Sequence, residues 1–162
     1  MSTDRPTVQV AVVMEREARP NRWEDWRFEV IEVVPDDGGF GDAVQVLRDD
    51  GRRRRTLHPG FVLQLFADEG EGYHLNLTSG APVWFVMWRL DDEDPSQARP
   101  AAVSLSYNEA GRWLDAQERV DNVPLQADLV PWLQAYTDEH YRPEEKKARR
   151  RPQSFVTPSE RK

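Results

Sequence analysis

The chain has 162 residues, 38% of them hydrophobic and 31% charged, with a mean hydropathy of -0.78. That suits one domain plus an appendage, and no apolar run approaches the ~20 residues that span a bilayer. Cysteine is absent, and with it disulfides, thiolate nucleophiles, iron–sulfur ligation and the usual structural zinc sites. The net charge of -7 is uneven: residues 142–162 hold eight Lys/Arg against three Glu, which leaves fourteen basic and twenty-six acidic residues upstream. An acidic body repels polyphosphate, so nucleic acid is not an expected partner of the domain.

The N-terminus lacks the charged-then-apolar pattern of a secretion signal, and a cytoplasmic location is expected. Val8, Val10, Val12 and Met14 alternate with Gln9, Ala11, Val13 and Glu15, the period-two signature of a strand. Trp26 to Val34 reads as a second strand, closed by the turn signal Asp36-Asp37-Gly38-Gly39. Further strands are expected over Ala43–Leu47, Arg53–His58 and Phe61–Ala67, with Pro59-Gly60 bending the path rather than ending it. Tyr73, Leu75 and Leu77 alternate with His74, Asn76 and Thr78 and predict another strand. Val83–Leu90 is apolar on both faces, so it should be central or covered twice. After Ala102–Ser106 the period changes. Ser106 and Glu109 have capping-box spacing and open a helix expected over Asn108–Glu118. Val120–Leu125 follows, then a second helix carrying Leu129, Trp132, Leu133 and Tyr136, with Asp128 as its cap and Pro131 in its first turn.

The expected architecture is α+β: a mainly antiparallel twisted sheet or partly closed barrel of six to eight strands with two C-terminal helices. Strands joined by short polar turns cannot form a parallel sheet, which needs long crossovers. The domain should occupy residues 1–141, and residues 142–162 should form a disordered basic tail.

Between the first two apolar runs, the segment from Met14 to Trp26 carries two tryptophans, three arginines and an asparagine, where ordinary connections are short and rich in small turn residues. Either those rings cap their own domain or they anchor a partner, since Trp and Arg dominate binding hot spots. Glu15, Arg16, Asn21, Arg22, Trp23 and Trp26 are therefore the candidate partner- or ligand-binding residues. Arg52 to Arg55 reads as a charge-protected edge strand or as a docking patch for an acidic partner. In the tail, Lys146, Lys147, Arg149, Arg150 and Arg151 are the candidate contacts for an acidic protein surface.

Catalytic signatures are missing from the sequence. His58, His74 and His140 form no H-x-H or H-E-x-x-H pair, so no metal is expected. No Gly-x-Ser-x-Gly elbow or Ser-x-x-Lys occurs, and Gly38-Gly39-Phe40-Gly41 is followed by neither a lysine nor a helix, so no nucleotide cradle or cofactor is expected.

Several stretches in order resemble one uncharacterised bacterial family, the domain of unknown function numbered thirty-three-oh-five. They are Val10 to Trp26, Tyr73-His74-Leu75-Asn76-Leu77, Ser106-Tyr107-Asn108-Glu109-Ala110, Val120-Asp121-Asn122-Val123-Pro124-Leu125, and Trp132 through the basic tail. The departure is Glu144-Glu145, where relatives often carry an apolar residue. The resemblance implies an association with molybdenum-dependent formate dehydrogenase gene clusters, and hence a formate dehydrogenase subunit or a maturation factor as partner. Some members are labelled molybdopterin-guanine dinucleotide biosynthesis proteins, but the first strand here leads into Met14-Glu15-Arg16-Glu17 with no glycine loop, which argues against nucleotide transfer. The resulting expectation is a non-catalytic accessory protein acting in assembly, maturation or stability. The alternative is a small module binding an anionic molecule such as a pterin cofactor in a barrel mouth lined by Arg22, Trp23 and Trp26.

Overall fold

The computed structural model describes residues 6–19 and 25–143. Among the described residues seven antiparallel strands form two sheets. In the four-stranded sheet the order is β2 (Trp26–Pro35), β1 (Thr7–Ala18), β4 (Arg53–Gln64), β3 (Gln45–Asp49); in the three-stranded sheet it is β6 (Ala98–Ser104), β5 (Val83–Leu90), β7 (Arg119–Pro124). Three α-helices, α1 (Gly70–Leu77), α2 (Tyr107–Asp115) and α3 (Val130–His140), complete an α+β fold. The described strands close no barrel.

The two sheets bury one common core. Val10, Val12 and Met14 of β1 meet Trp84, Val86 and Trp88 of β5, with Leu63, Tyr73, Leu105 and Leu133 filling the rest. This follows from the period-two pattern, because alternate residues of β1 point the same way. The other face of β1 is also covered at one end, where Ala11, Val13 and Leu57 form a smaller cluster with Ile31, Val34 and Phe40. β5 pairs with β6 on one side and β7 on the other, and it is apolar on both faces because one lies in the core shared with β1 and the other meets α2. Its ring at Phe85 packs edge-on against Tyr107 of α2, with ring centres 6.3 Å apart. Gln126 ties the layers together, accepting from Trp84 Nε1 and donating to the Val33 carbonyl.

β4 runs unbroken through Pro59-Gly60, as expected, because Gly60 adopts a φ of 95° that a side chain would strain. The register of β1 against β4 shifts there, between Val10 and Val12.

Three expectations are corrected. Tyr73 to Leu77 is not a strand but belongs to helix α1, with Thr78 as its C-cap. Gly70 and Gly72, which look like turn residues, are packing glycines: a Cβ on Gly72 would lie 2.0 Å from Ser106 Oγ, and one on Gly70 2.6 Å from Tyr141 Cβ. The buried positions Gly70, Tyr73 and Asn76 recur at helical spacing, and the Leu-in, polar-out alternation fails because Leu75 is exposed while Asn76 is buried. The expected pair of C-terminal helices is present as α2 and α3, and α1 is an additional helix that precedes β5. Finally, α3 starts after Leu129 with no side-chain cap, so Asp128 does not cap it, although Pro131 does sit in the first turn. Ser106 does cap α2, accepting from the Glu109 amide at 3.1 Å.

Candidate functional site

An open cleft of about 510 Å³ lies where the end of β1 and the start of β2 approach the β5–β6 connection. Trp26, Arg27 and Phe28 of β2 form one wall; Trp88, Leu90 and Ser96 form the other, and Arg119 at the start of β7 borders it. Two guanidinium–indole stacks frame it. The Arg16 guanidinium carbon sits 4.1 Å from the centre of the Trp26 ring, and that of Arg119 5.4 Å from Trp88. Such contacts add roughly 0.5–2 kcal/mol each according to exposure. Arg16 is fixed further by donating from Nη1 to the Ser96 carbonyl at 2.7 Å. Phe28 and Trp88 pack with ring centres 5.9 Å apart, forming the apolar floor.

The electrostatics of the cleft are mixed. Asp25 and Asp94 line it, but Asp94 is engaged by the Ser96 hydroxyl and amide at 2.6 and 3.0 Å, which hold its carboxyl below the ordinary value. Arg27 and Arg119 have no carboxylate partner among the described residues. The cleft thus offers aromatic faces and, among the described residues, two arginines without an ion-pair partner beside Asp25 and Asp94.

On the outer face of the same strand ends, Glu15 is buried under two arginines. It accepts from Arg53 Nη1 at 3.0 Å and from Arg55 Nε and Nη2 at 3.1 and 2.8 Å. Burial opposes the charged form, and the bonds and charges of Arg55 and then Arg53 outweigh it, so the carboxyl titrates below its ordinary value. Glu17 extends the ladder to Arg52 and Arg53. This corrects the edge-strand reading of Arg52 to Arg55: β4 lies inside the sheet between β1 and β3, and the arginines are partners for carboxylates on β1. The run's alternation sends Arg53 and Arg55 to Glu15 and turns Arg54 to the opposite face.

Of the residues singled out from the sequence, the structure brings Arg16 and Trp26 together at the cleft. Glu15 belongs to the ion-pair ladder one face away. The stretch Met14–Ala18 is strand rather than connection. Asn21, Arg22 and Trp23 lie outside the described residues, as do Lys146, Lys147, Arg149, Arg150, Arg151 and all but the first two residues of the expected tail. Sequence reasoning missed Trp88 and Arg119. Trp88 was legible only as core, and Arg119 had no signal beyond lying at the start of an apolar run.

His58 is buried and shares a 2.9 Å hydrogen bond with Thr56 Oγ, and burial lowers its pKa toward the neutral ring. Among the described residues no group of three His, Asp or Glu side chains could hold a metal ion, and no helix is long and apolar enough to cross a membrane.

Comparison with the curated proteins and with solved structures finds no match. The family model described as Protein of unknown function (DUF3305) matches residues 9–151. That span takes in β1, the cleft, the ion-pair ladder and all three helices, and the chain belongs to this family.

Proposed function

We propose that this chain is a non-catalytic accessory protein that acts by docking a protein partner in the cleft between Trp26 and Trp88. The supporting observation is the pair of guanidinium–indole stacks at one open site. Trp and Arg are the side chains that most often carry binding energy, and Arg27 and Arg119, without an ion-pair partner among the described residues, favour an acidic partner segment. The partner we propose is a molybdenum-dependent formate dehydrogenase subunit or one of its maturation factors, on the strength of the family resemblance. The action is assembly, maturation or stability of that enzyme.

Copurification of a tagged chain from its native host tests this reading. Arg119→Ala is expected to weaken capture by an amount typical of hot-spot truncation, at least ~2 kcal/mol or roughly thirtyfold. Because Arg119 is exposed, its melting temperature should barely move. Trp26→Ala should weaken capture as well. Undiminished capture by both variants would refute the docking surface.

A second reading is favoured by the size of the cleft, which falls in the ~300–1,000 Å³ range of small-molecule sites. A planar anion such as a pterin would stack on the indoles and pair with the arginines. Purification with a bound chromophore and no protein partner would favour this reading over the first.

A further inference from the structure

We propose that the small pocket between the inner face of the four-stranded sheet and the β5–β6 connection is a binding site for a small oxyanion held between Arg16 and Arg54. The pocket has a volume of about 80 Å³ and is walled by Met14, Arg16, Phe28, Arg54, Thr56 and His58. One water needs roughly 10–15 Å³ by the same measure, so there is room for a group the size of phosphate or acetate but not for a nucleotide.

Register makes the case. Arg16 of β1 lies directly opposite Arg54 of β4, and directly opposed residues in an antiparallel pair stand with Cβ atoms about 4.5–5.5 Å apart, where like charges destabilise the sheet. The described protein relieves the conflict only in part. The Nε atoms of both arginines are buried without a hydrogen-bond partner. The ion-pair partner of Arg54, the half-exposed Asp49, stands 3.9 Å away, beyond hydrogen-bond reach. The contrast with the adjacent residues is sharp: Arg53 and Arg55, on the other face, are matched by Glu15 and Glu17 at hydrogen-bonding distance.

The carboxylates near the pocket are already committed. Glu15 borders it, but both its oxygens are taken by Arg53 and Arg55. Asp94, whose carboxyl feels the charge of Arg16, accepts from Ser96. Arg16 is held rigid by the Trp26 ring and the Ser96 carbonyl, so its guanidinium is oriented before any anion arrives. Thr56 and His58, which share a 2.9 Å hydrogen bond, complete the same wall. An oxyanion bound there supplies both cations with charge-assisted hydrogen bonds and removes the like-charge opposition.

Inorganic phosphate and acetate, titrated into the full chain against chloride of equal ionic strength, test the site by calorimetry. The wild-type chain should bind at least one of them, and Arg54→Gln should lose roughly tenfold or more of that affinity, the effect of one charge-assisted hydrogen bond. In chloride that variant should melt no lower than wild type, since it removes one of two opposed charges. Nitrogen–proton spectra of the wild type provide a second readout, in which the Arg16 and Arg54 Nε–H resonances move with the anion while that of Arg89, paired with Glu118, does not. Absence of binding by both anions, undiminished binding by Arg54→Gln, or a lower melting temperature of that variant in chloride would overturn the proposal.

Discussion

Replacing Asn76 by leucine is expected to lower the folding free energy by about 4 kcal/mol, counting about 1–3 kcal/mol for each buried polar group left unpaired. The side chain is almost wholly buried and makes three hydrogen bonds. It donates to the carbonyls of Val83 and Leu105 at 2.9 Å each, and accepts from the Val83 amide at 3.0 Å. Those bonds seat α1 on the start of β5 and on the segment entering α2. Leucine fills the volume and leaves all three backbone groups unpaired. Asn76→Asp keeps the acceptor and loses both donor bonds while adding a buried charge, so it should be no better tolerated near neutral pH. Urea denaturation measures the change, and a loss under about 1 kcal/mol would show that α1 is not anchored this way.

Removing the Glu15 side chain is expected to cost about 3 kcal/mol, the lower end for breaking a buried ion pair, because Arg53 and Arg55 stay partly exposed. Glu15→Ala leaves two arginines side by side on one face with their shared counter-charge gone. The same site sets a pH dependence. Since the folded carboxyl titrates below its ordinary value of about 4.5, its stabilisation is fully present above that pH and is lost as pH falls through the lower folded value. Acid denaturation of Glu15→Gln should therefore lack this component. If wild type and variant lose stability in parallel as the pH drops below 4.5, the ladder contributes nothing to acid stability.

The strands were legible where one face is apolar. Val83–Leu90 coincides with β5 to the residue, because a run apolar on both faces and bounded by Pro82 and Asp91 has one sensible reading. α1 was not legible, because its buried face consists of two glycines, a tyrosine and an asparagine. Asn76 looks solvent-exposed in the sequence, and its burial is justified only by three backbone partners that lie at distant points in the chain. The resemblance flagged Tyr73 to Leu77 and Ser106 to Ala110 separately; in the fold they are one contact, with Gly72 packed on Ser106 and Ser106 capping α2. At the site, the unusual composition of the Met14–Trp26 segment singled out Arg16 and Trp26, which the fold brings together beside the cleft, whereas Trp88 and Arg119 join them only through the packing of the second sheet. The function of Arg53 and Arg55 depended on register, which a run of four arginines does not reveal.

Docking at the cleft is tested most directly by photo-crosslinking in the native host. A photoreactive phenylalanine analogue would replace Pro95, an exposed residue lining the cleft, in one chain and Leu75, exposed on α1, in another. Docking at the cleft predicts a specific adduct from position 95, with a formate dehydrogenase subunit or maturation factor identified by mass spectrometry, and none from position 75. An adduct to such a protein from position 75 with none from position 95 would contradict the assignment of the cleft as the docking surface.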